Sequence, residues 1–330
     1  MAEITHDDVR NFLAPYEGKK ITLPEMRNEL GIQRGTKSFN SIRKIVFDLA
    51  RDKMVKATGV RGEYKVLTPI EPVEWWNDDI SEDPIDFKFP CNHNEDEESF
   101  GLEECVEIFP GDMVLITGVS NYGKTTLALS MLGENLSLMP SILMGSEYTA
   151  SDGKISPKFK RRMRRMTWVE WMVDGEPKFQ LYPVGSDYED YVQSDSINVI
   201  DWISLPGDYF LIDRVMKSIK DRVGNGVAVV VLQKNPGQEF GEGGPRTERY
   251  ADVVMRVDPY GSNESMMTLG KVKAPKGKAT GRSWAFEIID YGANICNIRE
   301  VIKCRTCWGK GWVKGPLPCP TCHKLGYTNK

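Results

Sequence analysis

No apolar run in this sequence approaches the ~20 residues that a membrane-spanning helix needs. The opening stretch MAEITHDDVR also lacks the apolar core of a signal peptide. Histidine is scarce, with three in 330 residues, and four of the seven cysteines are confined to the last 27 positions. Without an export signal, paired cysteines read as metal ligands rather than disulfides. These absences predict a cytoplasmic protein without membrane contact. Cys91, Cys105 and Cys296 stand alone in the sequence and read as structural. Apart from two Cys-x-x-Cys units, no internal repeat is visible.

What is present is unevenly charged. The net charge of −4 conceals an acidic stretch, residues 71–107, with 14 Asp/Glu and one Lys. The remainder carries 42 Lys/Arg against 33 Asp/Glu, so a basic body adjoins an acidic segment. That balance suits an anionic partner.

Four regions follow from composition and periodicity. Residues 1–70 read as three short helices and a hairpin. Thr22 is placed to cap the second helix, and Ile42, Ile45, Val46 and Leu49 fall on one face of the third. Strands at 54–57 and 63–67 flank a turn at 58–62. Three helices with such a wing resemble a winged helix, which either docks on duplex DNA through its third helix or serves as a protein-docking module. Residues 71–100, rich in Pro, Asp, Glu and Trp (Trp75 and Trp76 among them), read as a linker. From 101 to 300, apolar strands alternate with helices, the pattern of a mostly parallel sheet with helices on both faces. Residues 301–330 form a Gly/Pro/Cys-rich tail.

The strongest motif is GxxxxGK[ST], read here as Gly118, Val119, Ser120, Asn121, Tyr122, Gly123, Lys124 and Thr125, followed by Thr126. It lies between an apolar strand and a helix, the setting in which backbone N–H groups and a helix N-terminus cradle phosphates. Lys124 would neutralise the β- and γ-phosphates of ATP, and the Thr125 hydroxyl would reach Mg2+. The apolar run Ile197–Ile200 ends in Asp201, a second group for the Mg2+ shell. Hydrolysis also needs a general base, and Glu147, which ends the next strand after the motif, is either that base or a surface carboxylate at a strand end.

Several motifs in the same order resemble the DnaB-type replicative helicases and their RecA-fold relatives, over about residues 99–289. The segments Phe100–Leu102 and Phe109–Gly118 resemble the entry to the family's P-loop. Leu143–Glu147 resembles the strand carrying its catalytic glutamate. Asn198–Ile203 resembles its Walker B run, with Trp202 where the family usually has Tyr. Val230–Gln233 resembles the strand whose glutamine senses the γ-phosphate, and Arg249–Met255 resembles its Ala-Asp-Val-Val strand. Leu269–Gly277 resembles the Lys-x-Arg-x-Gly element that reaches a neighbour's ATP, with Lys271 and Lys273 in the basic positions. Lys273 replaces the arginine finger, so the planar fork is missing. The N-terminal unit departs from the family's helical collar.

The resemblance implies an α/β RecA-like P-loop core and an ATPase working as a hexameric ring or a filament on single-stranded DNA, with RNA left open. A helicase of the DnaB/RepA type is the leading reading. A RecA-like recombinase or strand-annealing protein is the alternative, as is an ATP-switched DNA-binding loader or regulator. Nucleic-acid contact is expected at Lys160, Arg161 and Arg162, within seven basic residues between Lys154 and Arg165. It is also expected at Arg246 and Arg249, in a glycine-rich loop after Gln233.

In the tail, Cys304, Cys307, Cys319 and Cys322 have the spacing of a tetrathiolate Zn2+ site. The first half is similar to the DnaJ cysteine-rich repeat, while the second lacks its first glycine. His323 reads as a bystander.

Overall fold

The computed structural model describes residues 4–68, 83–93, 98–150, 153–205 and 211–330. Much of the expected linker, including Trp75 and Trp76, lies outside the described residues. The chain divides into two compact units, Met1–Ser81 and Glu82–Lys330.

The first unit runs α1 (His6–Leu13), β1 (Lys20–Thr22), α2 (Leu23–Glu29), α3 (Lys37–Arg51), β2 (Val55–Ala57) and β3 (Glu63–Val66), its strands ordered β1-β3-β2. Two capping boxes start α1 and α2. Thr5 exchanges hydrogen bonds with Asp8, and Thr22 with Glu25, each cap contributing about 1 kcal/mol. On α3, the predicted face of Ile42, Ile45, Val46 and Leu49 is buried, each side chain stabilising by roughly 1.5–3 kcal/mol. Its opposite face exposes Lys37, Arg43, Lys44 and Phe47.

The second unit contains β4 (Met113–Gly118), α4 (Lys124–Glu134), β5 (Ser141–Met144), α5 (Pro157–Arg165), β6 (Met172–Val173), β7 (Glu176–Pro177), β8 (Phe179–Tyr182), β9 (Ile197–Ile203), α6 (Ile212–Arg222), β10 (Val227–Gln233), β11 (Val253–Tyr260), β12 (Glu264–Val272), β13 (Ser283–Ile289) and β14 (Asn294–Lys303). The tail adds β15 (Trp312–Val313), β16 (Leu317–Pro318) and β17 (Tyr327–Asn329). One ten-stranded sheet has the order β17-β14-β13-β12-β11-β4-β10-β9-β5-β8. The six strands from β11 to β8 are parallel, and β12, β13, β14 and β17 extend the sheet antiparallel. All six β4 residues are buried, as a central strand covered on both faces requires. On one face Leu127, Ala128 and Met131 of α4 join a core with Val114 and Val229. On the other, Ile212, Met216 and Ile219 of α6 pack with Leu115 and Val230. This is the α/β architecture expected from the sequence, a mostly parallel sheet with helices on both faces, continued by four antiparallel strands that composition does not announce.

Two boundaries move. Phe87 and Phe89 are buried in the main core, and the Lys88 amide and carbonyl bond the Asn135 side chain, both at 2.8 Å. The linker therefore ends before the expected residue 100, because these aromatics find an apolar seat on the sheet's α4 face. The tail is likewise tied to the core, since β17 pairs with β14. No helix among the described residues is long and apolar enough to cross a membrane.

Candidate nucleotide site

The central strand β4 delivers its chain to the C-terminal edge of the parallel strands, and α4 begins at Lys124. Between them the loop turns tightly. Gly123 adopts φ +97°, and a Cβ there would stand 2.6 Å from Ile288 Cδ1, so only glycine fits. The cleft above has a volume of about 420 Å³, and its lining includes Lys124, Thr125, Glu147, Tyr148, Arg162 and Tyr291.

Lys124 is buried, and its Nζ donates to the Val119 carbonyl at 2.9 Å. Burial pulls its ammonium below the usual lysine range, opposed by the charges of Asp201 and Glu147. A cation held there, short of counter-charge, matches a polyphosphate.

Asp201 on β9 is 4% exposed. Its Oδ2 accepts from the Tyr148 hydroxyl at 2.5 Å. Burial raises the carboxyl above its usual range, against the lowering influence of Tyr148 and Thr125. Oδ1 is buried and has no hydrogen-bond partner. An orphaned carboxylate oxygen beside the Thr125 hydroxyl fits the Mg2+ shell, directly or through water, because such a group is costly unless a cation or donor meets it. Tyr148 escapes sequence motifs. It is fully buried, its hydroxyl is held well above its usual pKa by burial and by Asp201, and it fixes the carboxylate's orientation.

Glu147 is exposed to the cleft, with Trp202 Nε1 at 3.4 Å as its hydrogen-bond donor. Close packing positions it: a Cβ at Gly145 would meet the Asp201 carbonyl at 2.2 Å, so β5 and β9 approach at their ends. Gln233, which ends β10, donates from Nε2 to Ser120 Oγ at 2.7 Å. The third strand end is thereby wired to the phosphate loop.

The expected basic surface is partly redirected here. On α5, Phe159 is buried against the Tyr148 ring at 4.5 Å between centroids, which turns Lys158 and Arg162 into the cleft. Arg161 and Arg165 lie over the Tyr291 ring at 5.8 and 4.5 Å. Arg162 therefore faces the cleft, and Arg161 leans on the cleft's far wall. Lys160 remains exposed. That wall is the β13–β14 turn, joined to α4 where Thr126 Oγ1 donates to the Gly292 carbonyl at 3.0 Å.

The loop after Gln233 is less basic than its composition suggests. Lys234 is 1% exposed and paired with Asp258 at 2.6 Å. Arg249 is paired with Asp213 at 3.0 Å. Arg256 binds Glu239 and Glu248 from beneath, at 2.6 and 2.8 Å. Arg246 is exposed and has no ion pair among the described residues.

Lys271 and Lys273 lie elsewhere. Val253 pairs with both Val114 and Val272, and Val254 with both Leu115 and Lys271, so the lysines lie towards the N-terminal edge of the parallel strands, Lys271 roughly 10 Å and Lys273 roughly 16 Å below the level of Gly118 by strand rise. Lys273 Nζ bonds Asp252 at 2.6 Å, and Lys271 Nζ bonds the Glu248 carbonyl at 2.8 Å. Burial pushes the Asp252 carboxyl up, but hydrogen bonds from Lys220, Lys273 and the Met113 amide hold it below the usual range. The chain does not bring these lysines to its own phosphate loop.

The tail cysteines converge as their spacing predicts. Cys304 and Cys319 Sγ are 3.7 Å apart, Cys307 and Cys322 Sγ 3.5 Å, and all four are buried. Tetrahedral thiolates at about 2.3 Å from zinc stand about 3.8 Å apart, so the set fits the ion. His323 is exposed, as a bystander would be. We expect one zinc per chain in this set, released by Cys304→Ser, which elemental analysis of the purified variant checks. Retention of this zinc in the variant would reject the assignment. Cys91, read from sequence as merely structural, contacts His93 and Glu134 at 3.2 and 3.3 Å, joining residues 91–93 to the end of α4.

No family model and no curated protein matches the sequence. Among solved structures, the RadB recombinase aligns with 57% of this chain and 92% of its own, at 20% identity and a TM-score of 0.41. A KaiC-like protein, PH0186 from Pyrococcus horikoshii, aligns with 66% of this chain and 98% of its own, at 18% identity and a TM-score of 0.48.

Proposed function

We propose that this chain is a P-loop ATPase that hydrolyses ATP at interfaces between its own copies and uses the cycle to act on single-stranded nucleic acid. The observation that carries the reading is an incomplete site. Lys124, Thr125 and Glu147 line one cleft, with Asp201 buried beside them and Gln233 bonded to Ser120 of the phosphate loop, but Lys271 and Lys273 stand towards the opposite edge of the sheet. A head-to-tail neighbour would bring that opposite edge over the cleft, closing a ring or a filament. Within the cleft, Lys124 and the loop amides hold the phosphates, and Glu147 takes the proton of the attacking water. A neighbour's cation would meet charge developing on the transferred phosphoryl. Mg2+, held by Thr125 and Asp201, would supply charge neutralisation at the β- and γ-oxygens.

The first unit, read as a winged helix, supports a second contact through the cations exposed on α3. Two forms of work fit the shared site equally. A helicase couples it to translocation, whereas a recombinase or annealing protein couples it to filament assembly. ATPase assays with and without single-stranded DNA, alongside mass photometry, test the common reading. No stimulation together with a monomer at all nucleotide concentrations would reject it. Directional unwinding of a forked duplex then marks the helicase, and strand exchange marks the recombinase.

The shared site has its own prediction. Lys273→Ala should keep ATP binding and lose stimulated hydrolysis by ~100-fold, the scale of a removed trans cation. The fold tolerates the change, because Lys220 still pairs with Asp252. Lys273→Arg should retain activity. Mixing Lys273→Ala with Glu147→Gln subunits should restore turnover, since some interfaces would pair an intact glutamate with an intact lysine. The absence of recovery at every mixing ratio would exclude a shared site.

A further inference from the structure

Residues 301–330 contain no Asp or Glu but hold Lys303, Arg305, Lys310, Lys314, Lys324 and Lys330. A zinc tetrathiolate adds roughly −2, so the tail stays positive in a chain whose net charge is −4. Only Lys330 of the six is ion-paired among the described residues, with Glu300 at 2.6 Å.

The fold of the tail explains what those cations surround. Its two halves repeat with an offset of 15 residues. The Gly311 amide donates to Cys307 Sγ and the Gly326 amide to Cys322 Sγ, each at 3.2 Å. The Cys304 amide bonds the Gly326 carbonyl, and the Cys319 amide bonds the Gly311 carbonyl. Thr306 and Thr321 hydroxyls meet at 2.8 Å on the axis between the halves. In this two-fold arrangement Trp308 corresponds to His323 and Gly309 to Lys324. Trp308 and His323 both take left-handed backbone, φ +55° and +49°, where bulky residues are rare. Trp308 is 78% exposed. Lys324, which replaces the missing glycine at φ +79°, places its Nζ 5.0 Å from the half-exposed Trp312 ring.

From this geometry we infer that the zinc tail is a single-strand binding platform, on which an unpaired base of DNA or RNA stacks on Trp308 while Arg305, Lys310 and Lys314 hold flanking phosphates. An exposed indole within an all-cationic surface selects a ligand that is both flat and anionic. A duplex hides its base faces, whereas a single strand presents them. An acidic protein would satisfy the cations but stacks on the outward indole only where an aromatic side chain lies beside its carboxylates, whereas every nucleotide of a single strand carries a flat base next to a phosphate. The tail is fixed to the core by β17, and Leu325 Cδ2 lies 3.4 Å from where a Cβ on Gly261 would stand, at the β11–β12 turn. The strand would therefore be held against the ATPase unit itself.

The inference rests on the proposed action on single-stranded nucleic acid, and its test separates the two. Full-length, zinc-loaded protein is titrated against a fluorescent oligo-dT by anisotropy over a range of salt. Trp308→Ala should weaken binding about tenfold, the scale of one base–aromatic stack, and Trp308→Phe should recover most of it. Lys310→Glu with Lys314→Glu should weaken binding and flatten the slope of log K against log salt by about 1.4 or more, the share of two phosphate contacts on a single strand. Zinc content and melting temperature, unchanged in each variant, confirm that the tail is folded. If wild-type protein does not bind the oligonucleotide, the proposed function fails and the platform with it. If wild-type binds and the tail variants bind equally well, the platform alone is overturned, leaving the tail to an acidic protein partner.

Discussion

Glu147→Gln should leave ATP bound and slow its hydrolysis by ~100-fold or more, the loss typical of a removed general base. Three carboxylates invite that role, and their surroundings separate them. Asp201 is buried, with one oxygen taken by Tyr148 and its carboxyl raised by burial, an arrangement suited to the Mg2+ shell. Glu170 is bound to Lys178 at 2.7 Å on the surface. Glu147 alone stands in the cleft with a long contact from Trp202 as its restraint. Glutamine keeps that shape and the contact while removing the basic oxygen. The change therefore isolates proton abstraction from binding. Single-turnover hydrolysis together with nucleotide affinity checks it, and normal turnover in the variant would move the base elsewhere.

The second large effect is on binding. Lys124→Ala should cost nucleotide affinity ~100-fold or more, because the polyphosphate loses its charge-assisted partner in a desolvated place. The fold should survive. Burial already disfavours the Lys124 ammonium, and its amine bonds only the loop carbonyl of Val119, so alanine removes a strained charge rather than a support. Calorimetric titration with ATP and Mg2+ measures the loss, and a thermal melt shows whether the chain remains folded. Affinity equal to wild type would detach the phosphates from this loop.

How much of this was legible in sequence follows from the range of each signal. The α3 face, the Thr22 cap and the strand–loop–helix around Gly118–Thr125 are local, carried by periods and motifs a few residues long, and they are where they were expected. Asp201 was marked by an apolar run closing in a carboxylate after the phosphate loop, and Gln233 by the family resemblance of its strand. Contacts across long separations left no such trace. Gly292 meets Thr126 from 166 positions away, and nothing near Tyr291 marks it as a cleft wall. Arg162 looked like one cation in a basic run, yet Phe159, seated on Tyr148, decides which way that run faces. The antiparallel strands β12 to β14 went unread because, without helices between them, they lack the alternation that revealed the parallel half. The pairing of Lys273 with Asp252 depends on β12 folding back along β11, a register that composition does not report.

Strand β14 has a consequence of its own. It leaves the cleft wall at Asn294, where Trp168 Nε1 bonds the Asn294 side chain at 3.1 Å, and its last residue, Lys303, precedes the first zinc-site cysteine. Ten residues of strand make a stiff spacer of roughly 30 Å. The offset between the cleft and the tail is thus a built-in ruler, laddered to β13 from Asn294 to Val301 around one bulge and to β17 at its end, rather than a tether that can swing. A residue inserted in β14 would do more than lengthen it by roughly 3 Å. It would turn alternate side chains to the other face and carry the tail to the wrong side of the sheet. Evolution could tune the tail's surface freely, but its reach only in coarse steps.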